Sequence, residues 1–255
     1  MRRRGVVGVL ASLGLALTVG CAPRAASTRA STLVVWAWER PEDLRFLPPG
    51  VEIAALTGFI EISGPRTVIR GRLHPLRAQA GQVTTAVVHV EIDPRRPFEW
   101  SEAREAEVAA AILDLGGAAW ARRLQVDFEV RASQRPILLG VLRRVRDGLK
   151  PGVVLSMTAL ASWCETEGWL AEAPVDEIAP MLFRMGRGGV PIREKLGAGG
   201  DFRNARCRDA LAISTDAPLP GAPAGRRVYL FNPRSWSAAD FAAIEERVRA
   251  WRAVR

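Results

Sequence analysis

The sequence predicts an α/β fold, a (β/α)8 TIM-like barrel with a β-hairpin in place of the second helix. Three observations carry this. Eight segments have strand character and are mostly separated by helix-forming segments. The chain, once an N-terminal signal is set aside, has the length of one such barrel. The fourth of the strands, L-Q-V-D-F-E at residues 124–129, sets Leu124, Val126 and Phe128 on one face and Gln125, Asp127 and Glu129 on the other. A parallel strand buried on both sides should read as nearly continuous hydrophobics, so a polar face ending in two carboxylates needs a task. The C-terminal mouth of a barrel, where active sites sit, supplies one. An open α/β sheet is the alternative, and periodicity does not separate the two.

The chain begins with Arg2, Arg3 and Arg4, an apolar run over residues 5–19 and small residues before Cys21, the three parts of a secretory signal. The run is short for a membrane span. L-T-V-G-C at residues 17–21 resembles a bacterial lipobox, with Thr18 where leucine is usual, so Cys21 is expected to be lipidated and to become the N-terminus. Ala22 then favours the outer membrane, facing the periplasm. The expected organisation is a signal peptide over residues 1–20, a lipidated tether over 21–32 and a single barrel domain over 33–255. Net charge is +9 and falls to +6 without the three signal arginines. The basic residues are scattered among acids, which argues against a nucleic-acid partner.

Residues 33–39 form the first expected strand, in which Glu39 shares a face with Val35 and Ala37 while Trp36 and Trp38 face the other way and read as packing beneath helices. Residues 40–47 are expected to make at most two helical turns, ended by Pro48-Pro49-Gly50. Residues 51–57 are the second strand, and the extended pattern continues over 59–63 and 67–73 about Gly64-Pro65 as a hairpin. In the third, over 84–93, His89, Glu91 and Asp93 lie opposite Val88, Val90 and Ile92, and Pro94 stops it. Ser101 caps a helix continuing through 106–119. Ser133 begins the helix after the fourth strand, with Ile137, Leu138, Val141, Leu142 and Val145 as its buried stripe. Residues 153–161 are the fifth strand, with Ser156 and Thr158 on one face. Strands over 177–184, 210–216 and 227–232 follow, with a helix near 191–196 and a closing helix over 237–251.

Cys164 follows a strand and Cys207 precedes one, which places them near opposite ends of a barrel and predicts two unpaired thiols. With His74 and His89 the only histidines and no C-x-x-C pair, no zinc site is expected. The C-terminal ends of the expected strands carry Glu39, Glu91 with Asp93, Asp127 with Glu129, Trp163, Arg184, Asp216, and Asn232 with Trp236. There is no G-x-S-x-G elbow and no glycine-rich phosphate loop, so no cofactor is expected and the inventory points to acid/base work by carboxylates. A cation site built from Glu91, Asp93, Asp127 and Glu129 is a minor alternative.

The segment around Asp127 and Glu129 resembles the D-x-x-D-x-D-x-E signature of chitinase-like glycosidases, and Met181-Leu182-Phe183-Arg184 resembles their M-x-Y-D. V-W-A-W-E-R-P-E-D-L from Val35, L-Q-V-D-F-E, A-L-A-S-W-C ending at Cys164, P-M-L-F-R-M-G from Pro180 and F-N-P-R-S-W from Phe231 resemble an uncharacterised bacterial lipoprotein family, domain of unknown function 3142, with a chitinase-like glycosidase barrel. That resemblance implies a fold and no established activity. Carried over by position, the chitinase signature implies Glu129 as general acid and Asp127 as the group that orients a substrate acetamide. Arg122 and Gln125 stand where the signature has its first and middle aspartates, and Phe183 and Arg184 replace its tyrosine and aspartate. Glu39, Glu91, Trp163, Arg184, Asp216, Asn232 and Trp236 are the expected substrate-binding residues. One of Glu39, Glu91 or Asp216 would be base or nucleophile. The expected partners are a carbohydrate or cell-envelope glycan and, through the lipid, a membrane; a non-catalytic glycan-binding or envelope-assembly lipoprotein is the alternative.

Overall fold

Closure of the sheet decides between the two predicted architectures. The computed structural model describes residues 32–217 and 219–253; the expected signal, Cys21 and residues 21–31 of the tether lie outside them. In chain order the elements are β1 (Thr32–Ala37), β2 (Glu42–Asp43), β3 (Glu52–Ser63), β4 (Arg66–Gly71), β5 (Leu76–Arg77), β6 (Val83–Ile92), α1 (Glu102–Gly116) and β7 (Arg123–Glu129). They continue with α2 (Arg135–Gly148), β8 (Val154–Leu160), α3 (Trp163–Thr166), β9 (Glu177–Met181), α4 (Gly189–Gly197), β10 (Ala210–Ser214), β11 (Arg227–Phe231) and α5 (Ala238–Ala253). The parallel order β1-β3-β6-β7-β8-β9-β10-β11 returns to β1, which pairs with both β11 and β3. An open sheet has two free edges, so this is a closed eight-stranded parallel barrel of the TIM type.

Two apolar regions result. The larger lies outside the strands, where the α2 stripe Leu138, Val141, Leu142 and Val145 and the α5 residues Phe241, Ile244, Val248 and Trp251 meet the outward faces. The smaller fills the barrel with Val34, Trp36, Ala54, Leu56, Val87, Ala179, Ala212 and Tyr229. Trp36 therefore does not pack beneath helices. It stacks on Tyr229 at 5.3 Å inside the barrel, and Trp38 packs against the same cluster. The parity of β1 is ambiguous in sequence because both of its faces are apolar, and only pairing to β3 and β11 fixes which side is the lumen.

Strand β3 carries a bulge that matters for the mouth. Leu56 pairs with Val87 and Gly58 with Val88, so Thr57 is an extra residue. An inserted residue reverses the alternation beyond it. Ala54 and Leu56 face the lumen below the bulge, whereas Phe59 does so above it, with Ile60 and Ile62 outside. Gly58 is required where it stands, because a Cβ there would lie 2.7 Å from Leu115 Cδ2 and 2.8 Å from the Arg70 carbonyl. Beyond the barrel β3 turns at Gly64, φ +59°, and pairs antiparallel with β4. The outer edge of β4 has no partner among the described residues and exposes Arg66, Val68, Ile69 and Arg70.

Two further expectations are corrected. Residues 40–47 are not helical turns: Glu42 and Asp43 form β2, which pairs parallel with β5. Arg40 precedes a proline, which disfavours the helical region for it, and Glu42 N and Leu44 N donate to the carbonyls of Pro75 and Arg77 at 3.0 and 2.7 Å. Cys164 and Cys207 are joined in a disulfide, Cα–Cα 6.0 Å. The expectation assumed that each cysteine stays at its own strand's end. Instead Cys207 lies in a 3-10 turn, Ala205–Cys207, laid against α3, with Asn204 N donating to the Cys164 carbonyl at 3.0 Å. The Arg206 guanidinium ties the same turn to the carbonyls of Leu170, Ala171 and Ala173.

Candidate active site

Parallel register brings the polar faces of β6 and β7 side by side: His89 is opposite Asp127 and Glu91 opposite Glu129. Neighbouring strands lie about 4.8 Å apart, so each pair is within side-chain reach. His89 Nδ1 donates to Asp127 Oδ2 at 2.8 Å, and Thr158 Oγ1 on β8 donates to Asp127 Oδ1 at 2.5 Å. Both carboxylate oxygens of this buried aspartate are therefore occupied. His89 Nε2 lies 3.7 Å from Glu91 Oε2, and the ring is held edge-on by Trp38 and Phe59, with centroids at 5.6 and 5.7 Å. Burial opposes an imidazolium here, but the hydrogen bond to Asp127 and the charges of Asp127, Glu129 and Glu91 outweigh it. The His89 pKa ends above the ordinary 6.5.

Beneath this pair the lumen is a connected polar column. Trp36 Nε1 donates to Gln125 Oε1 at 2.8 Å, Gln125 Nε2 to Ser156 Oγ at 3.1 Å, and Ser156 Oγ to Glu177 Oε1 at 2.9 Å. Tyr229 also donates to Glu177 Oε1, at 2.6 Å, and burial together with the Glu177 charge pushes its phenol well above its usual range. Arg123 and Arg227 stand 3.3 and 3.4 Å from the Glu177 carboxylate. Gln125 thus links an indole and a hydroxyl at a level where a carboxylate would face Glu177. Its neutrality is explained by the column.

Above the column opens a cleft of about 670 Å³ at the C-terminal mouth, within the usual range for ligand sites, about 300–1,000 Å³. Glu91, Asp127 and Glu129 line one side. Trp36, Trp38, Phe183 and Phe231 form an aromatic wall, with Phe183 stacked on Phe231 at 5.3 Å and 7°. Trp163 closes another side, set edge-on against Trp169 at 5.1 Å. Arg131 and Arg184 complete the rim. Arg184, φ +53°, is the one non-glycine residue with positive φ among the described residues, and its guanidinium lies 5.9 Å from the Phe231 ring centre.

Of the residues expected at the strand ends, Glu91, Asp127, Glu129, Trp163 and Arg184 converge on this cleft and the others do not line it. Glu39 accepts from the amides of Leu73 and His74 at 3.1 and 3.0 Å. Asp93 accepts from Arg95 N and Ser63 Oγ. Asn232 is buried and accepts from Thr215 Oγ1 at 2.9 Å, while Trp236 Nε1 donates to the Trp36 carbonyl at 3.0 Å from within the outer core. Asp216 borders a separate cavity of about 370 Å³ with Arg234, Asp240 and Arg247. Among the described residues no group of three or more His, Cys, Asp or Glu side chains is spaced to hold a metal ion.

Sequence reasoning missed His89 as the partner of Asp127, and Trp36, Trp38, Phe183, Phe231 and Arg131 as cleft residues. The signal for His89 was its place on the Glu91 face; the Trp36 and Trp38 side needed the strand pairing. No family model and no curated protein matches this sequence.

Proposed function

We propose that the protein is an exported envelope lipoprotein whose barrel mouth binds and cleaves a glycan. The observation that carries this is the convergence of Glu91, Asp127 and Glu129 on one aromatic-walled cleft. Flat apolar rings suit the faces of sugars, and carboxylates in different environments suit acid/base hydrolysis. Glu129, exposed at the end of β7, is the general acid that protonates the leaving oxygen. Glu91, in register with Glu129 on the neighbouring strand and 53% exposed in its side chain, is the second carboxylate of the pair and acts as nucleophile or base. Asp127, occupied by His89 and Thr158, is an anion that steadies positive charge developing on the sugar ring. Gln125, Phe183 and Arg184 stand where a chitinase has acids or a hydroxyl, which favours a two-carboxylate route over assistance by a substrate acetamide.

Glu129→Gln tests this. Against a panel of envelope glycans and plant and bacterial polysaccharides it should lower turnover by about 10²–10⁴-fold, the contribution of a general acid, with the thermal midpoint unchanged because the side chain is exposed. Unchanged turnover would remove Glu129 from the reaction. Binding of a glycan with no cleavage by the wild type would favour the non-catalytic reading instead. The anchor is tested by mass spectrometry of the N-terminal peptide, which should carry lipid on Cys21 and lose it in Cys21→Ser. The resemblance to the uncharacterised lipoprotein family belongs to the same proposal.

A further inference from the structure

We infer that the sugar this cleft takes is acidic, carrying a carboxylate that Arg184 binds; this rests on the carbohydrate reading above. Arg184 has no carboxylate within ion-pair distance among the described residues, although the cleft it borders holds three. Arg184 leaves the end of β9 and lies over Phe231, whereas the acids leave β6 and β7. Strand β8 intervenes between β7 and β9, so the two strand ends stand about 10 Å apart. The cleft is therefore polarised, with acids on one side and a cation across the mouth.

Its backbone makes Arg184 informative. At φ +53° an L-residue is strained where glycine would rest freely, and the same loop places glycine at positions 186, 188 and 189. Strain of this kind is characteristic of residues aimed at a ligand. Beside it, Phe183 stacked on Phe231 offers a flat apolar surface for a sugar ring. A guanidinium next to such a surface is the arrangement that takes a planar carboxylate through paired N–H donors. An acidic sugar seated there is also oriented: its carboxylate goes to Arg184, away from the like charges, and the bond to be broken is directed towards Glu129. A neutral sugar would gain the stacking without the orientation.

Isothermal calorimetry on the full-chain protein tests this with matched probes: oligogalacturonate, alginate and hyaluronan oligosaccharides, the carboxyl-reduced neutral form of each, and chito-oligosaccharide. An acidic member should bind at least about tenfold more tightly than its reduced form, the size expected for one charge-assisted pair, and added salt should weaken it. Arg184→Gln should lower the ratio of acidic to neutral affinity by a similar factor. Arg184→Gly, which keeps the backbone unstrained without the charge, should do the same with the thermal midpoint retained. If neutral probes bind as tightly as acidic ones and neither variant changes the ratio, this inference falls and the carbohydrate reading stands. If no saccharide binds, the carbohydrate reading falls and this inference with it.

Discussion

Asp127→Asn removes the charge from the centre of the buried pair while keeping the shape, and its cost follows from the geometry. The His89 and Asp127 side chains are only 10% and 11% exposed, so solvent screening does little to weaken their contact at 2.8 Å. A hydrogen bond to a charged group contributes about 1.5–3 kcal/mol, and the buried partner left behind loses its counter-charge. Thr158 keeps an acceptor in the amide oxygen, so the expected loss is about 2–3 kcal/mol at pH 6, or roughly 4–12 °C in midpoint for a domain of this size. The pH dependence has a definite sign. The folded His89 pKa lies above the ordinary 6.5, so its stabilisation is complete below that value and is lost as pH rises through the folded pKa. The difference between wild type and Asp127→Asn should therefore shrink as pH is raised. Urea denaturation of Asp127→Asn, His89→Gln and the double variant measures the pair directly, with a coupling of about 1–3 kcal/mol expected. Additive single effects, or a difference that grows with pH, would refute the charged pair.

Three further outcomes follow from other parts of the barrel. Gln125→Asp restores the acid found in the chitinase signature but sets a second buried negative charge in the column that reaches Glu177; urea denaturation should show a loss of at least about 3 kcal/mol, and equal stability would mean that the column tolerates charge. Replacing Cys164 and Cys207 by serine opens a link between residues 43 apart, which by chain entropy lowers stability by about 4 kcal/mol; differential scanning calorimetry with and without the bridge reads this, and equal midpoints would contradict it. Arg184→Gly should leave stability within about 0.5 kcal/mol, relief of φ strain offsetting the added freedom of the unfolded chain; a larger loss would show that the side chain is held by packing.

The α/β class was legible because strand and helix character alternate along the chain, whereas closure into a barrel shows only in the pairing of β1 with β11 and β3. The place of Asp127 and Glu129 at the cleft was legible because carboxylates on a central strand break the expected hydrophobic run. Long-range pairing was not legible. Trp36 and Trp38 sit on a strand apolar on both faces, so their side is fixed only by β3 and β11. Phe59 reaches the mouth only through the bulge at Thr57, which local alternation does not reveal. Glu39, Asp93 and Asn232 satisfy backbone and side-chain groups of nearby loops, work that a polar residue at a strand end can do as readily as catalysis. The disulfide depended on where the turn containing Cys207 lies in space, which strand order alone leaves open.

Closing the barrel consumes the hydrogen-bonding edges of the strands that form it, and among the described residues β4 retains a free one. An unpaired edge is a template on which another chain can extend a sheet, and Val68 and Ile69 would supply the apolar contacts for such growth. Arg66 and Arg70 flank them. Two copies approaching edge to edge would bring four guanidinium groups together before any backbone bond formed. The hairpin therefore carries its own guard against polymerisation, and loss of those two charges would create a fibre-forming hazard that catalytic assays alone would not detect.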